Sequence, residues 1–327
     1  FKQKTAYEIR LSLVGSEMCI RDRDCDVLVM GAGIAGLATA RICARAGLRT
    51  MIAGTGLFGG LVLNVNELVD PPMPDQPSGA DYAAHLFGEA MEAGAEPLDG
   101  TIVALRRDEA GYVAQPEDIP GLALRARAVI CATGAAPRAL PVPGAEAYEH
   151  RGLAHCADCD GPLYRGRPVM VVGGGDSALQ SALSLARWAA TVHLVLRGAA
   201  PRARPDFVTR LQAEPRIRVH LRTEVLRLLG DSGLEAVELR PSADTTHCVE
   251  VSALFPWIGL LPCTAALPAE VARDATGAVN VDAARRTSLP GLFAAGAVRS
   301  GHGGTLRDAV ADGEAAALSV IAELTAG

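Results

Sequence analysis

Cys156 and Cys159 are the most reactive grouping in this 327-residue chain, two thiols separated by two residues in the stretch HCADCDG, with carboxylates at Asp158 and Asp160. A CxxC can close into a local disulfide, and its thiolate can then exchange electrons with a second disulfide. A structural zinc site needs two more ligands at comparable spacing, and the sequence has no second CxxC, so no metal is expected. The other cysteines beyond the N-terminal segment, Cys25, Cys43, Cys131, Cys248 and Cys263, lie within or beside apolar segments, where a cysteine reads as a small buried hydrophobe. Eight cysteines, irregularly placed, are too few for a disulfide scaffold in a chain this long. The pair is therefore read as redox-active, in a reducing compartment such as the cytoplasm.

Such a pair needs elements to hold it and a source of electrons, and a glycine-rich turn lies on each side of it. Upstream, the apolar stretch 27–30 reads as a strand running into Gly31, Gly33 and Gly36, followed by an apolar helix. These glycines allow a tight turn, close approach to a pyrophosphate and close helix packing, with the phosphate charge at the helix N-terminus. Downstream, the stretch 169–172 leads to Gly173, Gly175, Asp176, Ser177 and Ala178, and a helix carries Leu179, Ala182 and Leu183 at helical spacing. Two copies of strand, turn and helix imply two bound dinucleotides. The next strand of the first copy, 49–53, ends without the acid expected to meet a ribose. That of the second, 191–196, ends at Arg197, with Arg202 and Arg204 following. A guanidinium meets phosphate oxygens with two parallel donors, which favours NADPH over NADH.

Three further stretches could line a flat cofactor. Gly59 and Gly60, with Asn64 close behind, precede Asp70 and the prolines 71, 72 and 74. An apolar strand over 125–131 ends at Ala132, Thr133 and Gly134, and another over 292–295 reaches Gly296 before an alanine-rich helix starting near Thr305. A helix over 79–93, a solvated hairpin turn over 106–109, a strand over 233–240 and an apolar run over 251–262 complete the reading. Residues 1–23 stand apart: both lysines of the chain, Lys2 and Lys4, are there, and 12–23 resemble a translated sequencing adapter, so this segment is read as an appendage. It lacks the apolar region of a secretory signal. With 49% hydrophobic and 21% charged residues and no apolar run of membrane-spanning length, the chain reads as soluble and globular. Its net charge of -6 and dispersed arginines give no support to nucleic-acid binding.

From about Asp24 onward the chain resembles the low-molecular-weight thioredoxin reductases, in the ordered set Gly31 to Gly36, Gly59 with Gly60, Ala132 to Gly134, Cys156 to Asp160, Gly173 to Ala178 and 291–298. The resemblance implies an α/β fold of two Rossmann-like three-layer dinucleotide-binding domains. FAD would bind to 24–138 and 254–327, with an NADPH domain inserted at 139–253 and carrying the CxxC. It implies electron flow from NADPH to FAD to the disulfide of Cys156 and Cys159, and on to thioredoxin or a similar disulfide. Cys159 would face the flavin, Cys156 would open exchange and Asp160 would carry the thiol proton. A homodimer and a rotation between the domains are also implied.

The chain departs from that family in places. Gly296, Ala297 and Val298 replace its Gly-Asp-Val, removing an acceptor for the FAD ribityl chain, a change of about 1–2 kcal/mol. Leu61 replaces its glutamine, and Pro262, Cys263 and Thr264 replace its Pro-Asn-Thr. Arg307, Asp308 and Ala309 stand for Arg-Gln-Ala, and Leu196, Arg197 and Gly198 for His-Arg-Arg. Two other readings follow from these changes: an FAD-dependent oxidase of a small-molecule dithiol that uses oxygen, and a redox-dependent binding protein with little turnover.

Overall fold

The structure is a computed structural model that describes residues 23–65, 68, 73, 78–117, 119, 121–242 and 245–326. The expected appendage, apart from Arg23, and the stretch holding Asp70, Pro71, Pro72 and Pro74 lie outside the described residues. Arg23 itself opens the first strand, opposite Leu124.

The chain divides into two compact units. In the first, β1 (Arg23–Met30) is buried from Val27 to Met30, and α1 (Ile34–Arg45) follows it directly. β2 (Thr50–Gly54) pairs parallel to β1, and the helix α2 (Gly79–Glu92), of which this unit takes the part from Ala83 on, leads to β3 (Glu96–Asp99) beside β2. The hairpin of β4 (Ile102–Asp108) and β5 (Gly111–Pro116) then adds antiparallel strands. Its turn is tighter than the expected 106–109: Arg106 and Arg107 are laddered opposite Val113 and Tyr112, and the Asp108 carboxylate caps the turn by accepting from the Ala110 N–H. β6 (Leu124–Cys131) lies between β5 and β1, and its buried end, Ala128 to Cys131, reads as the apolar run it is.

The second unit takes in 61–82 and 135–262. Its ends are wider than the expected 139–253. β7 (Ala135–Pro137) pairs with a strand more than a hundred residues later, and the expected return at 254 would cut through a strand of the core. The short helix α3 (Ala157–Asp160) carries the CxxC, and β8 (Pro168–Val172), α4 (Asp176–Leu185) and β9 (Thr191–Val195) repeat the strand, turn and helix of the first unit. α5 (Pro205–Ala213) and β10 (Ile217–His220) follow, and then β11 (Thr223–Leu229), β12 (Ala236–Pro241) and β13 (His247–Glu250) form a small antiparallel sheet. β12 starts later than the expected 233 because Gly230, at φ +141°, and Gly233 belong to the turn before it. The apolar run 251–262 is split: β14 (Ala253–Pro256) joins the parallel sheet in the order β10-β9-β8-β14, and β15 (Leu260–Pro262) pairs with β7.

The chain then returns to the first unit, where β16 (Leu292–Ala294) pairs parallel with the end of β6, completing a sheet of seven strands. The final helix, α6 (Leu306–Thr325), packs against α1 at Gly313, where a Cβ would stand 2.2 Å from the Ala35 carbonyl oxygen. No side chain larger than hydrogen fits that crossing. The expected α/β architecture of two Rossmann-like units, one inserted into the other, is the one observed.

Candidate functional site

Cys156 and Cys159 are joined in a disulfide, with their Cα atoms 5.3 Å apart. Cys156 is the N-cap of α3 and its sulfur accepts from the Cys159 N–H at 3.1 Å. α3 is seated on the C-terminal end of α4: a Cβ on Gly161 would meet the Trp188 ring at 3.0 Å, and Asp158 is bound by the Ser184 hydroxyl. That bond occupies Asp158; Asp160, next after Cys159 in the chain, is half-buried. Cys159 is exposed and Cys156 half-buried. The other cysteines divide. Burial pushes the Cys25 and Cys43 thiols up to about 12 and also raises Cys131, so these three are inert. Cys248 and Cys263 are exposed rather than buried as expected; Cys248 lies on the edge strand of the small sheet, which leaves it open to solvent.

The glycines of the first turn have separate reasons. Gly31 has φ +105° and a Cβ there would stand 2.3 Å from the Ala132 carbonyl oxygen; one on Gly36 would stand 2.0 Å from the Gly31 oxygen. Packing alone demands both. Gly33 differs: it is the N-cap of α1 in extended backbone, with no side-chain cap, and the nearest atom to its Cβ position is the Gly59 oxygen at 3.9 Å. The same holds in the second unit. Gly173 has φ +145° and would collide with the Trp257 oxygen at 2.2 Å, whereas Gly175, the uncapped N-cap of α4, has nothing within 4 Å. At both middle glycines a methyl would fill open space in front of unpartnered helix N–H groups, a cradle that fits a phosphate approaching the backbone.

Other expected residues gather around the first cradle. The Gly59 N–H donates to the Ala32 oxygen at 2.7 Å, and Gly60, at φ +68°, would place a Cβ 3.3 Å from the Gly33 Cα. Ala132 follows β6 beside Gly31, and the Thr133 hydroxyl donates to the Cys263 carbonyl at 2.6 Å, tying the strand end that reaches Gly134 to the returning chain. A Cβ on Gly296 would meet Ala35 at 2.9 Å, which sets the half-buried Ala297 near the start of α1. Asn64 is exposed and belongs to the second compact unit. Arg307 is exposed at the start of α6. Asp308 is used as a cap, its carboxylate accepting from the Thr305 N–H and hydroxyl while its own N–H donates to the Thr305 hydroxyl, and the Ala309 N–H donates to the Thr305 oxygen. Around the second cradle, Asp176 and Ser177 are exposed in the first turn of α4 and Ala178 is buried beneath it. The Arg202 N–H donates to the Gly174 oxygen at 2.7 Å, and Arg197 lines a small cavity after β9.

A model of the pyridine nucleotide-disulphide oxidoreductase family matches residues 25–313. The chain belongs to this family. Its relatives include the thioredoxin reductase of Treponema pallidum, 33% identical over 299 residues that cover 90% of this chain and 96% of that protein. An alkyl hydroperoxide reductase component from Pseudomonas putida is 36% identical over 308 residues, 91% of this chain but 58% of that longer protein. Among solved structures, Lactococcus lactis thioredoxin reductase superposes with a TM-score of 0.87 at 28% identity, covering 91% of this chain and 99% of that one. Membership makes the chain an oxidoreductase of the disulfide-reductase type.

Sequence reasoning passed over two groups that shape this oxidoreductase. Asp312, 2% exposed on α6, accepts hydrogen bonds from Arg285 at 2.9 Å, from Arg299 at 2.7 Å and from the Gly296 N–H at 3.1 Å, with His302 Nδ1 at 3.3 Å. Burial alone would raise its carboxyl, but His302 and the two arginines hold it well below the usual carboxylate range. An acid in an alanine-rich helix was the one visible sign of it. The second is Trp257 at the end of β14, whose buried indole N–H has no partner among the described residues and follows the strand that borders the second cradle. Nothing in its sequence context marks it.

Proposed function

We propose that this chain is an NADPH-dependent, FAD-containing disulfide reductase of the thioredoxin reductase type. Its partner is a thioredoxin-like protein or a small disulfide, and it works as a homodimer in the cytoplasm. The observation that carries the reading is the disulfide between Cys156 and Cys159, in a family member whose two glycine turns each leave an open, uncapped cradle. FAD would be held by Gly31, Gly33, Gly36, Gly59, Gly60, Ala132, Thr133, Gly134, Gly296 and Ala297, and NADPH by Gly173, Gly175, Asp176, Ser177, Ala178, Arg197 and Arg202. The flavin supplies the two-electron link between a hydride donor and a disulfide.

The rest is the work of the chain's own sulfurs. In the reduced pair the Cys156 thiolate attacks a sulfur of the partner disulfide; that S–S bond breaks, and its leaving sulfur takes a proton from Asp160. The Cys159 sulfur, giving its proton to Asp160, then attacks the Cys156 sulfur, and the second partner sulfur leaves Cys156 and takes that proton from Asp160. The partner has gained two electrons and two protons, and the pair is again a disulfide. The N–H of Cys159, which the Cys156 sulfur accepts at 3.1 Å, stabilises negative charge on that sulfur and so favours the thiolate. The test is anaerobic addition of NADPH to the purified chain: flavin bleaching followed by the appearance of two thiols supports the reading, and persistently oxidised flavin sinks it. Oxygen uptake with a dithiol and no NADPH would instead mark a dithiol oxidase.

A further inference from the structure

The loop before α6 reads Gly301, His302, Gly303, Gly304, so a single side chain stands among glycines. Its imidazole is only 9% exposed, although the three glycines around it are exposed. What holds the ring inward is Asp312. His302 Nδ1 lies 3.3 Å from Asp312 Oδ2, and the same oxygen accepts from the Gly296 N–H at 3.1 Å. Arg285 and Arg299 bind this carboxylate as well, and its carboxyl is held well below the usual range. An ionised carboxylate can only accept, so Nδ1 carries the hydrogen of this contact. In the neutral ring that leaves Nε2 as an acceptor whose direction is fixed. Nε2 makes no hydrogen bond among the described residues.

The carboxylate that orients this ring is seated on the start of α1. Gly296, which shares the Asp312 oxygen with His302, would place a Cβ 2.9 Å from the Ala35 Cβ, and Gly313, next to Asp312, would place one 2.2 Å from the Ala35 oxygen. Ala35 lies in the first turn of α1, just past the uncapped Gly33 that opens the first cradle. At this point of the returning chain Ala297 offers only a methyl. A flavin dinucleotide carries a chain of hydroxyls between its pyrophosphate and its ring, and a hydroxyl taken out of water needs a partner. The charged groups of this stretch are otherwise engaged. Arg285 and Arg299 can only donate and are bound to Asp312, while the Asp308 carboxylate accepts from the Thr305 N–H and hydroxyl.

We infer that His302, positioned by Asp312, is a cofactor-binding residue whose Nε2 accepts a hydrogen bond from the ribityl chain of FAD, supplying the side-chain acceptor that Ala297 does not. This rests on the proposed binding of FAD by the first unit. The test is titration of the flavin-stripped full chain at about pH 8, followed by flavin fluorescence, in the wild type, His302→Ala, Ala297→Asp and the double variant. Two ligands are used, FAD and an FAD analogue whose ribityl hydroxyls are replaced by hydrogen. The expected result is that His302→Ala weakens FAD binding by about tenfold and that Ala297→Asp, added to it, restores most of the loss, while Ala297→Asp alone shifts affinity by less than about threefold. A carboxylate at 297 gives the ribityl chain an acceptor but cannot repair a damaged Asp312 cluster, beside which it only adds negative charge. The analogue should bind the wild type at least about tenfold more weakly than FAD does and should not distinguish it from His302→Ala. Unchanged FAD affinity in His302→Ala overturns the inference, as does a loss that Ala297→Asp leaves in place. So does an analogue that binds the wild type as tightly as FAD, a comparison that needs no variant to fold. A wild type that binds no FAD sinks the proposed function; one that binds FAD and is reduced by NADPH, with the flavin held equally tightly in His302→Ala, sinks this inference alone.

Discussion

Gly36 in the first unit and Ala178 in the second hold the same place in their turns, yet only one of them must be a glycine. A Cβ on Gly36 would strike the Gly31 oxygen at 2.0 Å, while the methyl of Ala178 is accommodated and buried under α4. The first turn is thus closed more tightly on itself than the second. The middle glycines, Gly33 and Gly175, are alike in both units and neither is required by the protein's own packing. The comparison separates glycines that fold the turn from glycines that leave room in front of it. Each unit also has a different anchor: a buried ion cluster at Asp312 in the first, and in the second a neutral pair, His193 with Nδ1 3.0 Å from His220 Nε2.

The CxxC belongs to the second unit, and changing it has the largest expected effect. Cys156→Ser and Cys159→Ser each lower reduction of a partner disulfide by more than about a thousandfold, because two sulfurs that act as a unit fail together. Circular dichroism should show both variants folded.

Next come the anchors. Asp312→Ala leaves Arg285 and Arg299 without their carboxylate beside Gly296, and should destabilise the first unit by about 3–5 kcal/mol in urea unfolding. Gly36→Ala should cost about 3 kcal/mol by overpacking against the Gly31 oxygen. A melting temperature within a degree or two of the wild type would contradict either account.

Acid should take the two units apart in order. Burial, with His220 and Arg218 nearby, lowers His193 to about 4 from its ordinary value of 6.5, so between those values the unfolded chain binds a proton that the folded one does not. Stability of the second unit therefore falls by about 3 kcal/mol as pH drops through that window. The Asp312 carboxyl is depressed, so its contribution is full above the ordinary carboxylate value of about 4 and is lost only as pH falls below it. Melts at pH 7, 5 and 3 should show the second unit weakening first, and His193→Gln should remove that step. Smallest of all, Gly33→Ala and Gly175→Ala should shift stability by no more than about 0.5 kcal/mol, yet each should weaken retention of the nucleotide bound by its own unit.

Much of this was legible because it is local. Strands such as 27–30 and 169–172 are continuous apolar runs, and each glycine turn is a fixed spacing after one of them. The CxxC needs no partner outside its own four residues to be recognised. What escaped depends on distance along the chain. Asp312 meets Arg285 across 27 residues, and the run 251–262 divides because its first half pairs with β8 and its second with β7. Asp308 shows the opposite case, a carboxylate engaged close by in the sequence. Its neighbour Thr305, three residues back, makes a capping box that uses the carboxylate locally.

The central claim is that electrons from NADPH reach a partner disulfide through Cys156 and Cys159. Rapid mixing of Cys156→Ser and wild type with NADPH under anaerobic conditions, followed by a thioredoxin-like disulfide, tests it most directly. The account predicts flavin bleaching in both proteins and thiol release from the partner by the wild type alone. Partner reduction by Cys156→Ser at the wild-type rate would contradict it.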